Sequence, residues 1–196
     1  KLKTKPKRHK TYSLEMVDKI LAHLEENNPT LLFFIKVISY NFLRPIEGCR
    51  LKVKNINLKE RTIEIEAKNK PIKIKRIPEI LIPDYSEIDQ SKPEYSVFRI
   101  NENEDWIASP ESKRDYFTNQ FSKVKKIFKL DENYSLYSFR HTFITKIFRE
   151  LSKEYSRTEV LDRLRLITGH DTNDALWMYL RDIDAEIADD YSNLLT

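Results

Sequence analysis

Glycine is nearly absent from this chain, and the shortage limits the kinds of functional site it can build. Only Gly48 and Gly169 are glycine among 196 residues, whereas average usage of about 7% would supply about 14. Loops that cradle phosphates or dinucleotides need glycine because their backbone turns left-handed or approaches the ligand closely. The sequence therefore has no Walker loop, no dinucleotide-binding fingerprint and no serine in a glycine-flanked nucleophile elbow.

Cysteine, histidine and the apolar runs exclude further classes of site. The single Cys49 excludes an internal disulfide and is typical of a reducing compartment. The four histidines show no metal-ligand spacing, and no run of about 18 apolar residues could span a membrane. We therefore expect a cytoplasmic protein that needs no metal ion or small-molecule cofactor and has no membrane partner.

The hydrophobic pattern predicts an α+β fold that is mostly α. Ser13 opens an amphipathic helix that ends before Pro29, and residues 30–43 predict a more deeply buried helix. No alternating strand–helix rhythm is present, which argues against a parallel sheet. Later helices are predicted at residues 109–129, 138–151, 157–168, 172–179 and 183–194.

A small three-stranded antiparallel sheet is predicted between the early and the later helices. Residues 62–67 and 72–75 alternate apolar and polar side chains, and Asn69 with Lys70 suits the turn between them. A further turn near residues 59–61 would complete the meander. The alternation predicts that the isoleucines of this sheet face the core and that its glutamates and lysines face solvent.

The first eleven residues form a separate basic segment. Residues 1–10 contain five lysines, one arginine and almost nothing apolar. We therefore expect residues 1–11 to be an interdomain linker or arm, and residues 12–196 to be the folded domain. A solvated linker and an arm lying along phosphate groups both fit this composition. The candidate phosphate contacts in the arm are Lys3, Lys5, Lys7 and Arg8.

Two stretches in the first half of the chain carry polar residues that could take part in catalysis. Arg44 directly follows the buried helix, where an unpaired guanidinium would be costly, and Glu47 lies close enough to orient it. A structural ion pair is the alternative. At the hairpin tip, Lys68 or Lys70 could carry an ammonium group into a cleft, although a lysine at such a tip is usually only solvated.

Two further stretches lie in the second half. Tyr137 and Arg140 share one face near the start of a predicted helix, and an arginine at the edge of the core is the alternative. Gly169 is expected to end a helix in the left-handed conformation, which leaves His170 at the joint with the next helix. Tyr179 lies nine residues later. It is either an aromatic residue at the core edge or a nucleophile that a bend at the joint brings close to His170.

Together, the four stretches resemble the tyrosine recombinase (phage integrase) family. Residues 43–48 (LRPIEG) are similar to the family's first-arginine box, and Lys68 falls at its β-hairpin lysine. Residues 137–143 (YSFRHTF) are similar to the H-x-x-R-H-T-F box, although tyrosine replaces the first histidine. Residues 169–179 resemble the G-H box with its nucleophile nine residues later. Order and approximate spacing agree from about residue 12 to the C-terminus.

The resemblance implies metal-free transesterification of DNA. Tyr179 would attack a backbone phosphate, release a 5′-hydroxyl and form a 3′-phosphotyrosyl bond, which another strand's 5′-hydroxyl can reverse. Arg44 and Arg140 would bind the non-bridging phosphate oxygens, where negative charge grows in the transition state. Forked, permanently charged guanidinium groups suit that task.

The resemblance also implies the supporting roles. His170 would accept the tyrosine proton or donate to the phosphate, and Tyr137 would contribute a hydrogen bond. Lys68, or Lys70, would protonate the leaving oxygen. Glu47 would hold the first arginine in place.

Double-stranded DNA is the partner that the resemblance implies. It further implies a homo-tetramer on DNA that uses the C-terminal helix, a separate N-terminal module not included in this sequence, and a location at the nucleoid. The net charge of +4 supports DNA binding weakly, but the basic arm and hairpin support it better. Additional candidate DNA contacts in the hairpin are Lys70 and Lys73.

The predicted function is thus that of a site-specific recombinase or integrase catalytic domain, serving a mobile element. One alternative is a recombinase-like DNA-binding protein that does not cleave, which the tyrosine at residue 137 motivates. A type IB topoisomerase-like enzyme and a helical regulator without phosphoryl chemistry are the others.

Overall fold

The computed structural model describes residues 10–66, 72–101 and 103–180, without the side chains of residues 178 and 179. These residues form a mostly helical α+β fold with one small antiparallel sheet, as predicted. The helices are α1 (Leu14–Asn27), α2 (Pro29–Tyr40), α3 (Pro45–Arg50), α4 (Ile82–Ser86), α5 (Pro110–Ile127), α6 (Leu136–Leu151), α7 (Arg157–Thr168) and α8 (Asn173–Leu180). The strands are β1 (Ile56–Asn57), β2 (Thr62–Ile65) and β3 (Lys73–Arg76). The helix predicted at residues 183–194 lies outside the described residues.

Side-chain caps set the start of the first two helices. Ser13 Oγ accepts a hydrogen bond from the amide of Met16 at 3.2 Å, and Asn28 Oδ1 accepts one from the amide of Leu31 at 3.0 Å. Each cap satisfies an amide that has no partner within its own helix. The sequence predicted the Ser13 cap, whereas the second helix begins at Pro29, one residue before its predicted start.

The region between α2 and α3 differs from the prediction. The helix α2 ends at Tyr40 rather than at residue 43, because Phe42 has a left-handed φ of 52°. A short helix that the pattern did not reveal then begins with Pro45 at its first position and Glu47 in its first turn. Both residue types favour a helix start. Arg44 consequently occupies the N-cap of α3.

The strand β2 lies between β1 and β3 and pairs antiparallel with both. Ile63 and Ile65 of β2 are buried, as predicted. Their partners across the ladder are Lys75 and Lys73, and paired residues share one face of a sheet. The prediction that isoleucines face inward and lysines outward is therefore wrong for β3, where Ile74 is 69% exposed.

Helix ends explain this reversal. The inward face of β3 meets the carboxyl-terminal carbonyl groups of α2 and α7 as well as the buried isoleucines of β2. Carbonyl groups at a helix C-terminus have no intrahelical partner and attract cations. The two lysines of β3 supply those cations, so the strand places them inward.

Two buried clusters hold the helices together. The larger one surrounds α2, where Phe34 stacks on Phe117 of α5 with 3.9 Å between the ring centroids. The smaller one joins α6, α7 and α8 through Ile144, Leu164 and Leu176. It seats α8 beside the two helices that carry the C-terminal motifs. Within the described residues, every helix is too short or too polar to cross a bilayer.

Candidate active site

Arg44 is held by the acidic residue that the sequence paired with it. Its backbone amide donates to Glu47 Oε2 at 2.7 Å, and its Nη1 donates to Glu47 Oε1 at 3.0 Å. The Glu47 side chain is only 13% exposed, whereas that of Arg44 is 54% exposed. Burial lowers the pKa of Arg44, but the Glu47 carboxylate and Tyr137 outweigh it and raise that pKa overall. The guanidinium is therefore permanently charged, anchored and open to solvent.

Arg140 is the second fixed guanidinium and is almost fully buried, at 3% exposure. It lies on α6, one turn after Tyr137, as the sequence predicted. Its Nη1 donates to the phenol oxygen of Tyr137 at 3.2 Å, and its Nη2 lies 3.5 Å from the carbonyl oxygen of Thr168. Tyr137 thus accepts from the arginine, which leaves its own hydroxyl proton for another acceptor.

His170 lies at the joint between α7 and α8. Gly169 ends α7 with a φ of 75°, as predicted for a left-handed residue. The Thr168 hydroxyl donates to the carbonyl of Leu164 at 2.8 Å and lies 2.6 Å from His170 Nδ1. Because that hydroxyl has one hydrogen, the tautomer that satisfies both contacts carries its proton on His170 Nδ1 and presents Nε2 as an acceptor.

The electrostatic surroundings keep His170 neutral. Burial, followed by the positive charges of Arg140 and Arg44, lowers the pKa of His170 to about 4. At neutral pH the ring is consequently uncharged. A neutral imidazole with an unprotonated Nε2 can accept a proton from a nearby hydroxyl group.

The lysines of β3 reach the same region. Lys73 Nζ donates to the carbonyl oxygen of Gly169 at 3.1 Å and to Asp171 Oδ1 at 2.5 Å. Lys75 Nζ donates to the carbonyl oxygens of Asn41, Phe42 and Thr168. The predicted acids Lys68 and Lys70 lie outside the described residues.

These side chains surround one pocket that is rich in positive charge. Its lining includes Arg44, Glu47, Lys73, Lys75, Arg140 and Gly169. Among its described lining residues, four are cationic and one is acidic. Glu47 pairs with Arg44 and Asp171 pairs with Lys73, so the surplus positive charge lies at Arg140 and Lys75. This charge favours an anion with several oxygen acceptors, such as a phosphate group. His170 lines the adjoining depression together with both β3 lysines.

The described part of the structure does not include the side chains of the remaining predicted site residues. Tyr179 belongs to the last turn of α8, and its side chain lies outside the described part. The arm residues lie outside it as well, namely Lys3, Lys5, Lys7 and Arg8. Arg44, Glu47, Tyr137, Arg140 and His170 are brought together, although they come from three separate stretches of chain.

The sequence reasoning missed Thr168 and Lys75. Thr168 is adjacent to the G-H pair, but its contact with His170 depends on the helix end that the glycine creates. The alternation around Lys75 was visible, yet alternation says only which residues share a face. It does not say which face lies inward.

The fold has close counterparts among solved structures, although neither a protein-family model nor a curated protein matches the sequence. XerA recombinase superposes with a TM-score of 0.63 at 15% identity, over 96% of this chain and 63% of that one. The Tn1549 transposon integrase in complex with transposon right-end DNA gives 0.68 at 15%, over 98% and 66%. A lambda integrase dimer bound to a COC′ core site gives 0.65 at 12%, over 96% and 52%.

The likeness shows that this chain has the fold of these recombinases and integrases. The chain spans about two thirds or less of the length of the three structures. The resemblance that the motifs suggested is therefore confirmed at the level of the fold.

Proposed function

We propose that this chain is the catalytic domain of a DNA recombinase that cuts and rejoins strands through a phosphotyrosyl intermediate. The observation that carries the proposal is the pocket where Arg44 and Arg140 converge, one exposed and anchored, the other buried. The similar fold of recombinases and integrases, two of them solved with DNA, supports DNA as the substrate.

The two arginines would bind the non-bridging oxygens of the scissile phosphate. In the transition state these oxygens gain negative charge, and fixed guanidinium groups stabilise it without moving. The anchoring of Arg44 by Glu47 and of Arg140 by Tyr137 keeps both groups in place before DNA arrives. Such preorganised cations can perform the role that metal ions have in other phosphoryl-transfer sites.

Tyr179 would be the nucleophile, and His170 would accept its proton. A free tyrosine has a pKa of about 10, so only about one in a thousand is ionised at neutral pH. Nearby cations lower that cost by stabilising the phenolate, and the neutral His170, a weak base with a pKa of about 4, would accept the hydrogen bond of the phenol. The phenolate oxygen then bonds to phosphorus as the bond to the 5′-oxygen breaks.

The leaving 5′-oxygen needs a proton, and Lys68 or Lys70 would supply it from the hairpin tip. The tip connects β2 to β3, and β3 already places two lysines at the pocket. Both candidate acids belong to the segment between β2 and β3 in the sequence. Action on double-stranded DNA, a tetrameric assembly through the C-terminal helix and a mobile-element role complete the proposal.

Covalent trapping on nicked DNA tests this function. A nick beside the scissile phosphate lets the cleaved end diffuse away, so that the intermediate accumulates. The substrate is built from the ends of the element that encodes the chain, and the products are separated on a denaturing gel. We expect a shifted protein–DNA band with the wild type and none with Tyr179→Phe.

Tyr155→Phe is the matched control, because its ring stacks under Arg163 away from the pocket. It should form the band as the wild type does. A wild-type protein that binds this DNA but never forms the band would support the non-cleaving alternative. Relaxation of plasmids that lack a specific site would instead support the topoisomerase-like alternative.

A further inference from the structure

We propose that Lys75 is a positioning residue of this site, which ties the backbone that leads to Arg44 to the backbone that leads to His170. The inference deepens the proposed function and rests on it for its catalytic consequence. Its structural content concerns the protein without DNA and can be tested separately.

The ammonium group of Lys75 has three carbonyl oxygens within hydrogen-bond distance. Its Nζ lies 2.6 Å from the carbonyl oxygen of Asn41, 3.2 Å from that of Phe42 and 3.1 Å from that of Thr168. An ammonium group has three hydrogens and no acceptor, so these three carbonyls use its full capacity. The side chain is thereby fixed at a single place in the structure.

The three carbonyls belong to the ends of two helices. Asn41 and Phe42 follow α2 and precede Arg44, and Thr168 is the last residue of α7, two before His170. Such terminal carbonyls lack intrahelical partners, so a cation between two helix ends satisfies both at once. The Thr168 carbonyl also lies 3.5 Å from Nη2 of Arg140. One ammonium group therefore links the surroundings of both arginines and the histidine.

Gly169 makes room for this arrangement. A Cβ atom at residue 169 would lie 3.3 Å from Cε of Lys75 and 3.5 Å from its Nζ. The left-handed φ of 75° at the same residue independently favours glycine. Gly169 thus ends α7 in the left-handed conformation, and a side chain there would also press on Lys75 by a few tenths of an ångström.

The role of Lys75 differs from that of a proton donor. Its hydrogens point to carbonyl groups, and the charged groups around it are Arg140, Glu47, Lys73 and Arg44. Burial and then Arg140 lower the pKa of Lys75 to about 7. The carbonyls act in the opposite direction, because only the ammonium form can supply all three hydrogen bonds. The leaving-group acid remains with the hairpin tip.

Hydrogen exchange of the DNA-free protein tests the structural content. The amides of Asn41 and Gly169 close the last turns of their helices, on the carbonyls of Val37 and Arg165. In Lys75→Met we expect both amides to exchange at least about tenfold faster, because both helix ends open more often. Arg76→Met is the matched control: it removes a charge from the neighbouring, exposed residue and should leave both amides unchanged. Unchanged exchange in Lys75→Met would overturn the inference.

Single-turnover cleavage of the nicked DNA tests the catalytic consequence. With saturating enzyme we expect Lys75→Met to cleave about 10- to 100-fold more slowly, because small misplacement of reacting groups has effects of that size. The DNA dissociation constant should stay within about threefold, since the ammonium is occupied by protein carbonyls. A loss confined to the dissociation constant would show a phosphate contact instead and would overturn the positioning role.

The two experiments also separate this inference from the proposed function. If the wild type does not cleave, the proposed function fails, but the exchange result still decides whether Lys75 ties the two helix ends. If Lys75→Met does not fold, Lys75→Gln, which keeps two of the donors, replaces it in both measurements. That variant should then show a smaller change in the same direction, and no change at all would contradict the inference.

Discussion

Thr168 connects several parts of the candidate site although its side chain is uncharged. Its hydroxyl bridges the Leu164 carbonyl and His170 Nδ1. Its own carbonyl accepts from Lys75 and lies beside Arg140. The hydroxyl thus holds the imidazole at Nδ1, and the tautomer that satisfies both contacts presents Nε2 as an acceptor.

The variant Thr168→Val should separate this role from ordinary packing. It keeps the shape of the side chain and removes the hydroxyl, so we expect cleavage to fall about tenfold as the imidazole loses its fixed tautomer. Thr145→Val is the control, since that buried hydroxyl donates to the carbonyl of His141 within its own helix. Each variant should lose about 1 kcal/mol of stability in urea unfolding. Equal cleavage rates in both variants would contradict the account.

His170 should also make stability depend on pH. Its pKa is lowered to about 4 in the folded protein from an ordinary value of 6.5. Between these two values the unfolded chain binds more protons, so the free energy of unfolding should decrease as the pH falls from 6.5 to 4. We expect His170→Asn to flatten this part of the profile, measured by urea unfolding at several pH values. The same slope in His170→Asn as in the wild type would exclude this cause.

Among the secondary-structure elements, β3 affects the site most, because its orientation decides which side chains face the pocket. Alternation predicted a strand correctly, but the isoleucines and not the lysines are exposed on it. This orientation brings Lys73 and Lys75 to the ends of α2 and α7. With the opposite face inward, the pocket would lose two of its four cations.

Alanine substitutions on two strands test that orientation. Ile63 of β2 is fully buried, whereas Ile74 of β3 is 69% exposed. We expect Ile63→Ala to lower the free energy of unfolding by about 2–5 kcal/mol, because it leaves a cavity in the core. Ile74→Ala should change it by no more than about 0.5 kcal/mol, as for other exposed positions. Comparable losses in urea unfolding would mean that β3 faces the other way.

The elements themselves were largely predictable, because their signals are local. Ser13 and Ser109 mark helix starts through side-chain caps, and Gly169 marks a helix end. The short helix α3 and the inward face of β3 were not predictable. Both depend on what the rest of the chain places nearby, and local periodicity contains no such information.

At the scale of the whole molecule, the fold gathers motifs that are far apart in sequence. Arg44 comes from the loop after α2, Arg140 from α6 and His170 from the joint after α7, and the two buried clusters hold these elements together. The order of the motifs allowed this set to be predicted. The hydrogen bonds that fix it, through Thr168 and Lys75, became visible only with the helix ends in place.

The proposed function requires a covalent bond between Tyr179 and DNA. The most direct measurement is mass spectrometry of the trapped complex after digestion with a protease and a nuclease. We predict a single modified peptide that contains Tyr179, heavier by a nucleotide joined through its 3′-phosphate. The same adduct on another residue, or DNA-bound protein without any adduct, would contradict the claim.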